Sequence, residues 1–222
     1  METELEQVLP EEIEARSFEI ITKELGSREL EEQYAPIIKR AIHTTADFDY
    51  ADNLVFSPNV LEFAWKALQK KACIVTDTQM AKAGISKKAL QQLGIEIYNF
   101  IADKDVAEMA KAHGTTRAAA SIDKAAALNR PVILVVGNAP TALVRISELV
   151  QKGGWAPELV IGTPVGFVNV VQSKEMILKL PVPHIVAKGR KGGSNVAAAI
   201  CNALIYTALD WVDPGKRDTA RA

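Results

Sequence analysis

The chain has 222 residues, 48% of them hydrophobic and 24% charged, with a formal net charge of −1. That apolar content supports a sizeable core, and the near-neutral balance gives no global field for nucleic acid or an anionic membrane. No run reaches the roughly 18 apolar residues of a transmembrane helix, and the opening METELEQVLPEE is acidic where a secretory signal is basic and then apolar. A cytoplasmic protein is expected. Its two cysteines, Cys73 and Cys201, read as buried thiols rather than a disulfide or metal pair.

A single domain over residues 1–222 is expected, with a helical N-terminal region (1–71), an α/β core (72–209) and a polar tail (210–222). Pro10 suits a first helical turn, and Glu11, Glu12 and Glu14 suit the positive end of its dipole. Ile13, Ile20 and Ile21 make an apolar stripe, and Gly26 a stop. Ser17 lies four residues from Ile13 and from Ile21, so its hydroxyl is expected on their buried face. Ser27 suits a cap for a second helix carrying Leu30, Tyr34, Ile37, Ile38, Ala41 and Ile42. Pro36 breaks or kinks it, leaving residues 37–43 as a short helix of their own. Ser57 as N-cap and Pro58 at the first position start another, running to about Lys71.

From Ala72 short apolar runs alternate with amphipathic segments. Strands are expected at 73–76, 95–100, 132–136, 159–161 and 184–187. Helices are expected at 87–93, 106–113, 116–128, 142–152, 168–178 and 195–209. The fold class is α/β, a five-stranded mostly parallel sheet flanked by helices, because nearly continuous apolar strands alternating with helices need cover on both faces.

Ligands in such sheets collect beyond the carboxyl ends of the strands. Those ends read TDTQ, GNAPT, GTPVG and KGRKGGS. Glycine lets backbone approach a ligand, and each loop runs into a helix whose free N–H groups favour anions. With Lys188, Arg190 and Lys191 in the last loop, the rim suits a ligand bearing phosphates or several carboxylates. There is no GxGxxG after the first strand and no GxxxxGK[ST] anywhere. Arg117 opens an Ala-rich helix against the dipole, which suggests a ligand role. His113 and His184 read as a helix-end and a strand-start histidine. No Cys/His/Asp set has metal-ligand spacing, and no GxSxG occurs.

The stretch RAIHTTADFDYAD (40–52) concentrates chemistry. Arg40 and His43, three apart, share one helix face. The helix end and Asp47, Asp49 and Asp52 favour the protonated imidazole, while Arg40 opposes it, a balance suited to acid/base work. A solvated helix end with acidic capping residues fits the same letters.

Several separate segments, in order, carry a resemblance: IEARSFEII, KRAIHTTADFDYAD, TDTQM, GTTRAA, GNAPTAL, IGTPVGFVNVVQSKE and GRKGGSNVAAAI. From residue 13 to about residue 204 the chain resembles the precorrin-8X methylmutase family of cobalamin biosynthesis, including its cobalt-precorrin-8 branch. The resemblance implies an isomerase that moves a methyl group from C11 to C12 of the macrocycle, a formal 1,5-sigmatropic shift giving hydrogenobyrinate or cobyrinate. It implies no redox or methyl-donor cofactor, any cobalt belonging to the substrate. It also implies a homodimer with the tetrapyrrole near the subunit interface, His43 as the catalytic residue, and Ser17 and Arg40 as substrate contacts. Arg40, Arg117 and Arg190 are then expected to bind the acetate and propionate carboxylates. One departure is Ala46, where glycine is expected in many members. Two other classes explain part of the pattern: a phosphate- or nucleotide-using α/β enzyme, and a non-catalytic tetrapyrrole carrier.

Overall fold

A computed structural model describes residues 5–212. After a 3-10 turn at Pro10–Glu12, helices α1 (Ile13–Leu25), α2 (Ala35–Thr45) and α3 (Tyr50–Asn53) lead into strand β1 (Leu54–Phe56) and helix α4 (Val60–Gln69). Then follow β2 (Cys73–Thr76), α5 (Gln79–Gly84), α6 (Lys87–Leu93), β3 (Ile97–Tyr98), α7 (Lys104–Ala112) and α8 (Arg117–Ala126). The chain continues with β4 (Val132–Val136), α9 (Pro140–Lys152), β5 (Leu159–Gly162), α10 (Val170–Leu178), β6 (His184–Ala187) and α11 (Ser194–Val212).

The strands form one sheet in the order β1-β6-β5-β4-β2-β3. All neighbours are parallel except β1, which runs antiparallel to β6 with Leu54 opposite Ala187 and Phe56 opposite Ile185. The expected mostly parallel α/β architecture is present, with six strands rather than five. The missed one, Leu54–Phe56, is a three-residue edge too short for a periodic signal. The strand expected at 95–100 is paired only at Ile97–Tyr98.

Alternation along the strands divides the core. Ile133 and Val135 join α1, α2, α4, α6 and α11 on one face, while Val132, Leu134 and Val136 join α7, α8, α9 and α10 on the other. Helix α11 is apolar around most of its girth because it is buried within its layer, against α2, α4, α5 and α6.

Several local expectations change. Residues 26–34 form turns and irregular chain, so Ser27 starts no helix, and Pro36 lies in the first turn of α2, where a missing N–H costs no intrahelical bond. Ser57 is not an N-cap. Its Oγ accepts from the His184 N–H at 2.9 Å, tying the end of β1 to β6, and Asn59 in left-handed conformation precedes α4. On α1 only Ile21 of the expected stripe is buried; Ile13 and Ile20 are 52% and 39% exposed. The final helix runs past Leu209 to Val212, and the rest of the expected tail lies outside the described residues.

Candidate functional site

Helix α2 buries Ile37, Ile38, Ala41 and Ile42, which leaves Arg40 and His43 on its less buried flank. The helix ends where Ala46 turns left-handed (φ 52°), its N–H donating to the Ile42 carbonyl. His43, in the last turn, is exposed; its ring meets Phe18 of α1 edge-on, with centroids 5.6 Å apart. Arg40 is tightly held. It pairs with Glu14 of α1, and its guanidinium carbon lies 5.5 Å from the Phe18 ring centroid and 5.0 Å from that of Tyr206 on α11. Ser17 is half-buried and its hydroxyl donates to the Ile13 carbonyl at 2.8 Å, the back-bond open to any mid-helix serine.

The aspartates past His43 join this flank to the strand ends. The Asp47 carboxylate accepts the Asp49 N–H at 3.0 Å, folding the turn. Lys191, in the loop after β6, reaches back to Asp47 Oδ2 at 2.7 Å and Asp49 Oδ2 at 2.6 Å. The hydrogen bond from Lys191 holds the Asp47 carboxyl below its ordinary range, and the two aspartates raise the Lys191 ammonium. Asp52 pairs instead with Arg28 at 3.4 Å. Further along the loop, the Arg190 guanidinium carbon lies 5.5 Å from the Phe167 ring centroid. Phe167 and Val168, in the loop after β5, are 82% and 78% exposed. The two loops interlock: a Cβ on Gly192 would sit 2.1 Å from the Thr163 carbonyl oxygen, so only glycine admits the approach. The result is a rim of exposed apolar side chains and cations, tied through Lys191 to the turn that follows the exposed His43.

These positions coincide with a known sequence pattern. The profile of the precorrin-8X methylmutases matches residues 12–207. The chain belongs to the precorrin-8X methylmutase family. It is 43% identical over 201 residues to the cobalt-precorrin-8 methylmutase of Priestia megaterium, covering 90% of this chain and 89% of that one. It is 45% identical over 204 residues to the cobalt-precorrin-8 methylmutase of Salmonella typhimurium, covering 89% and 95%. The solved precorrin-8X methylmutase of Thermus thermophilus superposes with a TM-score of 0.83 at 39% identity, over 90% of this chain and 96% of that one. The chain is accordingly an isomerase of the methylmutase kind, in cobalamin biosynthesis.

In this methylmutase not every predicted residue joins the cluster. Arg117 is the exposed first residue of α8, in the helix layer across the sheet from α2. Beside it Thr116 caps the helix through the Ala119 N–H and shares a 2.9 Å hydrogen bond with Thr141. A cavity of about 410 Å³ next to that helix start is lined by His113, Thr115, Thr141 and Arg145. His184 is a core histidine: it is buried, its Nδ1 is 2.9 Å from the Val182 carbonyl oxygen, and burial pushes its pKa down.

Asp77 was legible as part of TDTQM but not as a functional group. It is 5% exposed and accepts the N–H groups of Gly137, Asn138 and Ala139 at 2.7 to 2.9 Å. Burial raises its pKa, opposed by those three donors. The GNAPT loop, expected to offer its N–H groups to an anionic ligand, spends these three on a carboxylate of its own chain. A Cβ on Gly137 would come within 2.6 Å of Ser194 Cα, so α11 closes the same crevice from the other side.

Proposed function

We propose that the chain moves a methyl group from C11 to C12 of a precorrin-8 macrocycle, with His43 as the reacting side chain. The observation that carries this reading is the tie from Lys191 to Asp47 and Asp49, which holds the cationic loop after β6 against the turn that follows His43. A flat ring with a carboxylate fringe needs those two features side by side: a polar group near the ring and cations at its edge. His43 would hydrogen-bond or protonate a ring nitrogen next to the migrating centre. Drawing electron density from the conjugated system stabilises the transition state more than the ground state, which is what accelerates a rearrangement. The methyl group stays within one molecule, so no redox or methyl-donor cofactor is required.

Arg190 would bind the carboxylates directly by charge-assisted hydrogen bonds. Arg40, already paired with Glu14 and packed between Phe18 and Tyr206, supports the α1–α2 wall and presents only a residual charge to the substrate. Ser17 and Arg117 remain proposed contacts. Arg117 would reach the ring only from across the sheet, or across a subunit interface in a homodimer, for which the exposed Phe167 and Val168 supply apolar surface. A cytoplasmic location fits the two buried free thiols, Cys73 and Cys201.

The test is to mix the purified protein with metal-free and cobalt-containing precorrin-8 separately and follow the visible spectrum with product analysis. A change of chromophore with methyl-shifted product supports the reading. The names of the two curated relatives favour the cobalt form as the better substrate. A static spectral shift without product means a carrier, and no shift with either precursor favours the phosphate or nucleotide class. Sedimentation at micromolar concentration checks the dimer.

A further inference from the structure

Lys174 lies in the middle of α10 and is 1% exposed. Among the described residues no carboxylate pairs with it. Its Nζ donates to the Gly189 carbonyl at 2.9 Å and to the Lys191 carbonyl at 2.8 Å. Burial pushes its pKa down to about 8. Leucine or methionine would fill the same volume without placing a desolvated amine in the interior, so packing does not account for a lysine here. Both acceptors belong to the loop after β6. Gly189, at φ 76°, lets the chain reverse there. With the carbonyls of residues 189 and 191 turned inward onto one ammonium, the side chains of Arg190 and Lys191 are directed outward, one to Phe167 and one to Asp47 and Asp49. The amine is enclosed and its bonds are spent on backbone, so it is a support and not an acid or base for the substrate.

We propose that Lys174 is a positioning residue for the methylmutase reaction: by clamping the carbonyls of Gly189 and Lys191 it sets the loop that carries the exposed Arg190 and that Lys191 ties to the turn after His43, and so sets the affinity for the substrate's carboxylate fringe. The inference rests on the reading of this site as the macrocycle pocket. It predicts a defect in substrate binding with the chemical step spared, because His43 stands on α2 and the hydrogen bonds of Lys174 go to the loop after β6.

The experiment is steady-state turnover of Lys174→Met and Lys174→Gln with the precursor that the wild-type protein accepts, beside thermal unfolding of each. Lys174→Met is expected to raise KM about tenfold, the size of a lost charge-assisted hydrogen bond, with kcat within about twofold of wild type. Lys174→Gln keeps an uncharged N–H donor group on a shorter side chain and is expected to recover part of the loss. A folded methionine variant with unchanged KM overturns the inference, as does a fall in kcat without a change in KM. If the methionine variant does not fold, the glutamine variant carries the test, and wild-type KM in that variant overturns the inference. A wild-type protein that converts neither precursor counts against the functional reading itself. An active wild type with indifferent Lys174 variants counts against this inference alone.

Discussion

The carboxyl ends of the sheet are built in two ways. Between β2 and β4, where the strand order reverses, the crevice that usually takes a ligand is filled from within: Asp77 occupies the N–H groups of the GNAPT loop, and Thr78 hydrogen-bonds Ser194 at 2.7 Å across it. Beyond β5 and β6 the equivalent loops carry exposed cations and apolar side chains, and Lys191 ties them to the turn after His43. Both regions contain glycine in a loop that leads into a helix. The difference lies in how far the chain's own carboxylates satisfy each loop: Asp77 takes up three N–H groups of GNAPT, whereas Asp47 and Asp49 engage Lys191 and leave Arg190 exposed. On the proposed reading, the sealed strand end contributes rigidity and the exposed one a place for the macrocycle.

The largest expected effect separates the two regions by function. His43→Ala is expected to lower turnover by roughly a hundredfold or more while retaining tetrapyrrole binding, the range for loss of a general acid or base. Near-wild-type rearrangement by that variant would break the assignment. At the sealed end the expected defect is in stability. Asp77→Ala leaves three N–H groups without their acceptor, that of Gly137 buried and those of Asn138 and Ala139 partly so, and should cost about 2 to 4 kcal/mol in urea unfolding, whereas Asp49→Asn, at an exposed ion pair, should change stability by less than about 1 kcal/mol. Equal costs at the two sites would erase the distinction.

Acid titration gives a smaller effect. His184 is held neutral by burial, with its pKa lowered from the ordinary value of 6.5. The unfolded chain therefore binds a proton first as the pH falls, and the folded state loses stability below about pH 6.5, over the interval down to the lowered value. His184→Gln should flatten that part of the stability profile, measured by denaturant midpoints between pH 5 and about 7. An unchanged profile would show that the imidazole is not the titrating group. The smallest effect belongs to the turn after His43. Ala46 sits at φ 52°, a conformation that costs a non-glycine residue about 1 kcal/mol. Ala46→Gly is expected to raise Tm by roughly 2 to 4 °C. A lower Tm would mean that the methyl group is packed rather than strained.

Much of the fold was legible. The apolar runs at Cys73–Thr76, Val132–Val136 and His184–Ala187 are strands, and Lys87–Leu93 is a helix, because periodicity and burial act within a few residues. The N-terminal third was harder. Ser27 and Ser57 look like caps, yet a cap needs only a hydroxyl before a helix, and Ser57 found a better partner in the His184 backbone. The Leu54–Phe56 edge was hidden because pairing with β6, with Val55 opposite Val186, joins segments far apart in the chain. At the site, His43, Arg40 and the basic loop stood out by residue type. The engagement of Arg40 by Glu14, the tie from Lys191 to Asp47 and Asp49, and the burial of Lys174 did not, since each joins elements distant in the chain.

By itself, the sequence determined the α/β class, the order of the main elements and the family, because these depend on local periodicity and on motifs read in one dimension. Only the tertiary structure decided which polar groups are already spent. A carboxylate, a lysine or a row of N–H groups looks equally available in a string of letters. Its availability to a ligand depends on what the folded chain has placed within hydrogen-bonding distance, and that is a property of contacts between distant segments.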